Sequence, residues 1–475
     1  MEFIFTTRKL FNRLILRGQF GIIYYFLTRI KIQEAAAWLL STGAFLFGAY
    51  VHFFVDHHTG LAILAWVLVF EILFRAYEFL KIGKPRYHHL KLEKRKELPS
   101  SVTDLDKDMP IAELTAHPRG SERDFKPDGP KSGVVILRSH KLDEKLILSQ
   151  TGDNLLRYEV LAGYERNLLK EFKMFEEDME DFLPVLRSGA TKRALFLEAN
   201  LSIASAFNES IFDQGEAVQI GRTLYHTSLL TNEACSRVLL RDERIVCDFR
   251  LMYPYMANDV AGSPGHLQAL ELSALANHVG VSTLALTSDG YLVVHRQNEL
   301  TQVSQNLVAP SGSGSLDWVD HHLAKTDDFL AVVRYGMARE LREECGLDNN
   351  SRRGGRDWSV KSLAQNTLIL GYSRWLERGG KPEFMGITRL NCKINEIAPD
   401  AKESDRGIRN GTNAVSPSAI CTALDLEVEC DKLLARHDLS IPLWTVLSQI
   451  KKILDGGFDS EIRTALLKHW GLIEK

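Results

Sequence analysis

Arg339-Glu340-Leu341-Arg342-Glu343-Glu344-Cys345-Gly346-Leu347 is the stretch on which the fold reading turns. A helix beginning near Thr326-Asp327-Asp328, a suitable capping cluster, carries Leu330, Val333, Met337, Leu341 and Cys345 at three- and four-residue spacing, which makes a face to be buried. Gly346 is a natural stop for it. Glu340, Glu343 and Glu344 then stand at i, i+3 and i+4, so their carboxylates share one helix face, an oxygen set that suits Mg²⁺ or Mn²⁺. Arg339 is placed to brace them. A solvated charged face has the same look, so the flanking sequence decides between the two.

Upstream, Ser282–Ala285 and Tyr291–His295 are apolar β runs joined through the turn signal Ser288-Asp289-Gly290. A Gly-rich loop, Pro310-Ser311-Gly312-Ser313-Gly314-Ser315, follows. Downstream, Leu363–Trp375 and Glu383–Leu390 read as two more strands around Arg378-Gly379-Gly380. Hairpin, Gly-rich loop, charged helix and second hairpin follow one another in that order.

The nine residues from Arg339 fill every specified position in the second half of the Nudix box, R-E-U-x-E-E-x-G-U, and the flanks resemble a Nudix-type α/β/α sandwich over roughly residues 270–450. The resemblance implies a metal, Mg or Mn, held by Glu340, Glu343 and Glu344, the same residues being catalytic if the chain is a hydrolase. It also implies ligand binding by Ser311, Gly312, Ser313, Gly314 and Arg339. The full box is G-x5-E-x7-R-E-U-x-E-E-x-G-U, and here counting back from Arg339 meets Ala331 and Lys325 instead of the Glu and the Gly. An insertion would let the Ser311–Ser315 loop serve, with the acidic position left unassigned.

The remainder of the 475 residues divides by charge: residues 1–96 hold 14 Lys+Arg and 6 Asp+Glu, a net of +8, which leaves 44 and 55, a net of −11, for residues 97–475. An acidic bulk argues against a general surface for polymeric nucleic acid. Ala35–Val55 is 21 residues without a Lys, Arg, Asp or Glu, long enough to cross a hydrocarbon core. Leu61–Leu80 is a second span that contains Glu71 and Arg75. The short link Asp56–Gly60 makes the two a hairpin, and basic residues on both flanks place both termini in the cytoplasm. Ser41, Ala44 and Gly48 form a small-residue stripe suited to close helix approach.

The expected organisation is a membrane-anchored α/β protein. Residues 1–33 are a basic amphipathic segment, 34–80 the two-helix transmembrane hairpin, 81–130 a basic then flexible linker, and 131–265 a cytoplasmic α+β extension. Residues 266–475 are the Nudix-type domain with C-terminal helices. In the extension, GVVIL and ALFLEANL read as β runs and Arg157–Leu186 as amphipathic helix. The scattered cysteines (Cys235, Cys247, Cys345, Cys392, Cys421 and Cys430) fit reduced thiols. The adjacent pairs His57-His58, His88-His89 and His321-His322 read as polar loop histidines rather than metal ligands.

Two spans followed by a divergent Nudix-type domain resemble the transmembrane Nudix effectors of the bacterial antiphage systems called CBASS. That resemblance implies a homo-oligomeric inner-membrane protein with two spans and cytoplasmic termini. Its Nudix-type domain would bind a cyclic oligonucleotide, and its helices would disrupt the lipid membrane and abort infection. A cyclic oligonucleotide has phosphodiester links and no pyrophosphate, which favours a sensor over a hydrolase. The alternatives are a membrane-tethered, Mg-dependent Nudix hydrolase of a nucleoside diphosphate derivative and a scaffold that binds only protein.

Overall fold

The computed structural model describes residues 90–94, 113–116, 135–152, 155–161, 199–233, 235, 237–241, 244–248, 270–273, 275–297, 307–347, 358–375, 378–397 and 419–472. The chain divides into two units, Met1–Lys91 with Pro184–Ala190 and Leu240–Arg244, and Leu92–Leu183 with Thr191–Leu239 and Ile245–Lys475. The described residues of the first unit lie in the strands Leu90–Lys94, Arg237–Arg241 and Arg244–Asp248.

In chain order the second unit contains β1 (Glu113–Ala116), β2 (Val135–Arg138), α1 (His140–Ser149), β3 (Tyr158–Val160), β4 (Ala199–Ile203) and β5 (Val218–Leu224). Then come β6 (Gly280–Leu286), β7 (Leu292–Arg296), β8 (Val308–Pro310), β9 (Gly312–Ser315), α2 (Asp320–Leu323) and α3 (Phe329–Glu344). After them stand α4 (Val360–Gln365), β10 (Thr367–Trp375), β11 (Lys381–Arg389), α5 (Ala423–Leu434), α6 (Ile441–Leu454) and α7 (Ser460–Trp470).

All seven residues of β6 are buried, and it lies at the centre of an eight-stranded mixed sheet. The order is β8-β7-β6-β11-β10-β2-β1, with β9 sharing the β7 side of β6. The pairing of β6 with β11 is parallel, whereas β10 runs antiparallel to both β11 and β2. Alternation along the strands feeds two separate cores. Leu284, Leu286, Leu292 and Val294 join α5, α6 and α7 on one face, while Ala285 and Val293 join Ala338, Leu341, Cys345 and Leu363 from α3 and α4 on the other. The sheet is therefore sandwiched between helical layers, with the charged helix on one side. β3, β4 and β5 form a separate three-stranded sheet.

The α3 face expected from the sequence is buried in full: Leu330, Val333, Met337, Leu341 and Cys345 are each 2% exposed or less. Asp328 caps the helix, its carboxylate accepting from the amides of Leu330 and Ala331, and Gly346 ends it at φ 62°. Residues before 266 complete the sheet through β1 and β2. A buried network of Asp143 with Arg138, Gln449 and the Tyr372 amide ties α1 and β2 to α6 and β10.

Several local expectations change. Pro310–Ser315 is not a loop: Val308–Pro310 pairs with β7, and Gly312–Ser315 pairs residue for residue with Thr283 to Gly280. Leu363 belongs to α4, which Ser359 caps, so β10 starts at Thr367. Glu113–Ala116 is a strand within the segment read as linker, and His321-His322 sits on α2 with His321 buried. Of Arg157–Leu186, only residues 157–161 are described, and Tyr158–Val160 is a strand rather than helix.

The membrane-anchored fold class is corrected. No helix among the described residues is long and apolar enough to cross a membrane. A span takes about 20 apolar residues, whereas the longest described helix, α3, has 16 residues, with an apolar face packed on the sheet and a charged outer face. The hairpin expected at 34–80 and the amphipathic segment at 1–33 lie outside the described residues. The two-span inner-membrane placement with cytoplasmic termini is withdrawn with the hairpin.

Candidate functional site

The last two turns of α3 lie against β9, and two glycines let them approach. A β-carbon on Gly312 would stand 2.4 Å from Leu341 N, and one on Gly314 would stand 2.3 Å from the Glu340 carboxylate. The approach brings the β9 backbone within reach of the box side chains. The Ser313 amide donates to Glu344 Oε1 at 3.1 Å, and the Ser315 amide donates to Glu340. The serine-glycine amides thus hold the box carboxylates.

Arg339 is the hub. Its Nε and Nη2 donate to Asp320 Oδ1 and Oδ2, each at 3.1 Å, Nη2 also to the Ser315 carbonyl at 2.8 Å, and Nη1 to Glu340 Oε1 at 2.9 Å. Asp317 at 3.5 Å and Glu343 at 3.7 Å complete the ring of anions. Burial opposes the Arg339 charge, but Glu340, Asp320 and Asp317 outweigh it and hold the guanidinium firmly protonated. Asp320 has the spacing of the acidic position that backward counting left unassigned. It is fully buried, it makes a bidentate pair with Arg339, and it is the sixth residue after Gly314, the G-x5-acid spacing of the box. Eighteen residues rather than seven then separate it from Arg339. Counting forward from each glycine of the Gly-rich stretch would have found it.

His295 is the other residue that the sequence does not single out. It lies on β7, and its Nε2 meets Glu344 Oε2 at 3.0 Å in a contact 4% and 9% exposed on the two side chains. Burial first, and the neighbouring Glu340 charge second, push the Glu344 carboxyl well above the ordinary carboxylate range, with the Ser313 bonds opposing. Burial also raises Glu340, against the pull of Arg339.

A raised folded-state pKa means that the native protein binds the Glu344 proton more tightly than the unfolded chain does. The carboxyl therefore contributes its full stability below about pH 4.5, the ordinary value, and that contribution is lost as pH rises through the folded-state pKa. Glu344→Gln keeps an acceptor for Ser313 and stays neutral. It is expected to raise stability at pH 8 by about 1–3 kcal/mol and to leave it unchanged at pH 4. Thermal melts at the two pH values check this, and a loss at pH 8 larger than any at pH 4 would show that the carboxylate form is the one the fold prefers.

The sequence-derived residues divide by role. Ser311 is fully buried as a strut, its hydroxyl donating to the Val293 carbonyl and accepting from the Ala285 amide. Gly312 is buried against α3, whereas Gly314 is exposed and Ser313 partly so. Glu340 and Glu344 lie together on the β9 side, and Glu343, 48% exposed, faces outward. Five carboxylates around one guanidinium and one imidazole make an all-oxygen, negatively charged donor set, the chemistry of a hard divalent cation. Glu340, Glu343 and Glu344 are the residues that would hold Mg²⁺ or Mn²⁺, which when bound supplies positive charge to phosphate oxygens. As they stand, the inner two are turned to protein partners, and among the described residues no three His, Cys, Asp or Glu gather as a metal-holding group.

No family model and no curated protein matches the chain. Among solved structures, a crystal structure of DR0079 from Deinococcus radiodurans is 12% identical and covers 36% of this chain and 82% of that one, at a TM-score of 0.23. So slight a likeness carries no argument.

Proposed function

We propose that the sheet-and-box-helix domain is a nucleotide sensor: it binds a cyclic oligonucleotide at the Gly314–Glu340–Glu343 surface without hydrolysing it, as a nucleotide-responsive component of a CBASS-type antiphage system. One observation carries the reading. Glu340 and Glu344 are bonded inward, to Arg339 and the Ser315 amide and to His295 and the Ser313 amide, so neither is free to activate a water. Glu343 alone of the three box carboxylates is open to solvent. Hydrolysis needs a general base within hydrogen-bond reach of its water. Recognition needs a rigid surface and, between these carboxylates and a ligand's phosphates, a bridging cation such as Mg²⁺; the Arg339 ring supplies the rigidity.

A second reading, a Mg-dependent Nudix hydrolase of a nucleoside diphosphate derivative, is favoured by a different observation: Asp320 restores the acidic position of the box and pairs with Arg339. Calorimetry on the full-length chain separates the two. The titrants are a panel of cyclic di- and trinucleotides and dinucleotide pyrophosphates with Mg²⁺ present, each checked for integrity afterwards. Binding of one cyclic nucleotide tighter than about 1 μM, with the ligand recovered intact, is the expected result. Cleavage of a pyrophosphate without cyclic-nucleotide binding would replace the sensor with the hydrolase.

A further inference from the structure

The eleven residues by which the Asp320–Arg339 spacing exceeds that of the box pattern build a feature of their own. α2 and the turn after it stand beside the Arg339 ring and are firmly held. Tyr158 Oη donates to the carbonyls of His321 and Thr326, the Tyr158 amide donates to Asp327, and Phe329 N donates to the Leu156 carbonyl. Lys325 turns the chain at φ 51°. Within this frame Trp318, His321 and His322 form a continuous stack of tilted rings, with ring centres 4.4 Å apart and planes inclined by 59° for the first pair, 3.8 Å and 38° for the second, and Tyr158 meets His321 edge-on at 6.1 Å.

His321 is buried within the stack, its Nδ1–H donating to the Trp318 carbonyl, and burial holds it below the usual histidine range. The outer end of the stack is bare. His322 is exposed, and Val319 and Leu323, one on each side of it in sequence, are 51% and 52% exposed. An exposed imidazole with two exposed aliphatic side chains beside it presents an apolar surface on the same short helix whose Asp320 binds Arg339. Such a surface serves a nucleobase well, because every base has an apolar π-face and stacking on an aromatic ring needs no particular hydrogen-bond pattern.

We infer that the outer face of α2, His322 with Val319 and Leu323, is a base-stacking subsite that receives one nucleobase of the ligand whose phosphates lie at the box helix. The inference rests on the nucleotide-binding reading above and assigns it a second contact point. The inserted turn supplies the base contact and the box helix the phosphate contact, with Asp320 linking the two.

The test titrates full-length wild-type protein, His322→Ala and His322→Phe with the cyclic-nucleotide panel and, in parallel, with inorganic pyrophosphate as a probe that has no base. His322→Ala is expected to weaken cyclic-nucleotide binding about 5- to 100-fold, His322→Phe to restore it, and both variants to bind pyrophosphate as the wild type does. Wild-type cyclic-nucleotide affinity in His322→Ala would overturn the subsite while leaving the sensor reading intact. Equal weakening for pyrophosphate would show that the change acts on the phosphate surface and would also overturn the subsite. Wild-type protein that binds no member of the panel would overturn the sensor reading and the subsite together.

Discussion

Arg339→Met is expected to lower the unfolding free energy by about 3–5 kcal/mol, the range for removing one partner of a buried ion pair. The residue is worth that much because of what it leaves behind. Asp320 has a fully buried side chain and takes both of its Arg339 bonds in bidentate form, and Glu340, 14% exposed, takes a third. Methionine keeps the apolar stem, so the loss isolates charge from packing. Asp320 keeps only the Asp317 amide as a hydrogen-bond donor shown at its carboxylate, too little to stabilise a buried anion. In the double variant Arg339→Met/Asp320→Asn the orphaned charge is gone, and a large part of the lost stability is expected to return. Urea unfolding of the single and double variants measures the coupling. If the double variant is as unstable as the sum of the singles, the pair does not act as a unit, and the hub role of Arg339 fails.

The box helix was legible in the sequence, and its surroundings only in part, for reasons that lie in particular residues. Leu330, Val333, Met337, Leu341 and Cys345 carry the helical period whatever the rest of the chain does, and the Asp328 cap is local. Asp320 was hidden because backward counting assumes a fixed spacing, and α2 with its following turn breaks that spacing. His295 and Glu344 are 49 residues apart, and only the pairing of β7 with β6 brings the imidazole under the end of α3. The Ser311–Ser315 stretch has the composition of a loop. It is a strand because β6 offers an unpaired edge from Gly280 to Thr283 and because α3 tolerates no side chain at position 312. Composition registers the glycines, whereas their reason is a helix packed against them from a distant part of the chain. The apolar stretches of 34–80 lie outside the described residues and remain a property of the sequence alone.

The two glycines of β9 separate stability from function at this site. A β-carbon on Gly312 would lie 2.4 Å from Leu341 N, 2.6 Å from Leu341 Cα and 3.0 Å from Glu340 C, all main-chain atoms of α3. No rotamer change relieves that contact, so strand and helix must move apart and the Leu341 side of the core must loosen. Gly312→Ala is therefore expected to cost about 3 kcal/mol or more, at the upper end for overpacking. A β-carbon on Gly314 meets Glu340 instead, at 2.3 Å from Cδ and from Oε1. A carboxylate at the end of a side chain can swing aside, at the expense of its Arg339 bond. Gly314→Ala is expected to melt within a few degrees of the wild type and to lose at least about tenfold in cyclic-nucleotide affinity, a difference of about 1.4 kcal/mol. Parallel melts and titrations of the two variants check both halves. Wild-type affinity in Gly314→Ala would mean that the Glu340 surface is not where the ligand sits, because the added β-carbon meets that carboxylate and not the main chain of α3.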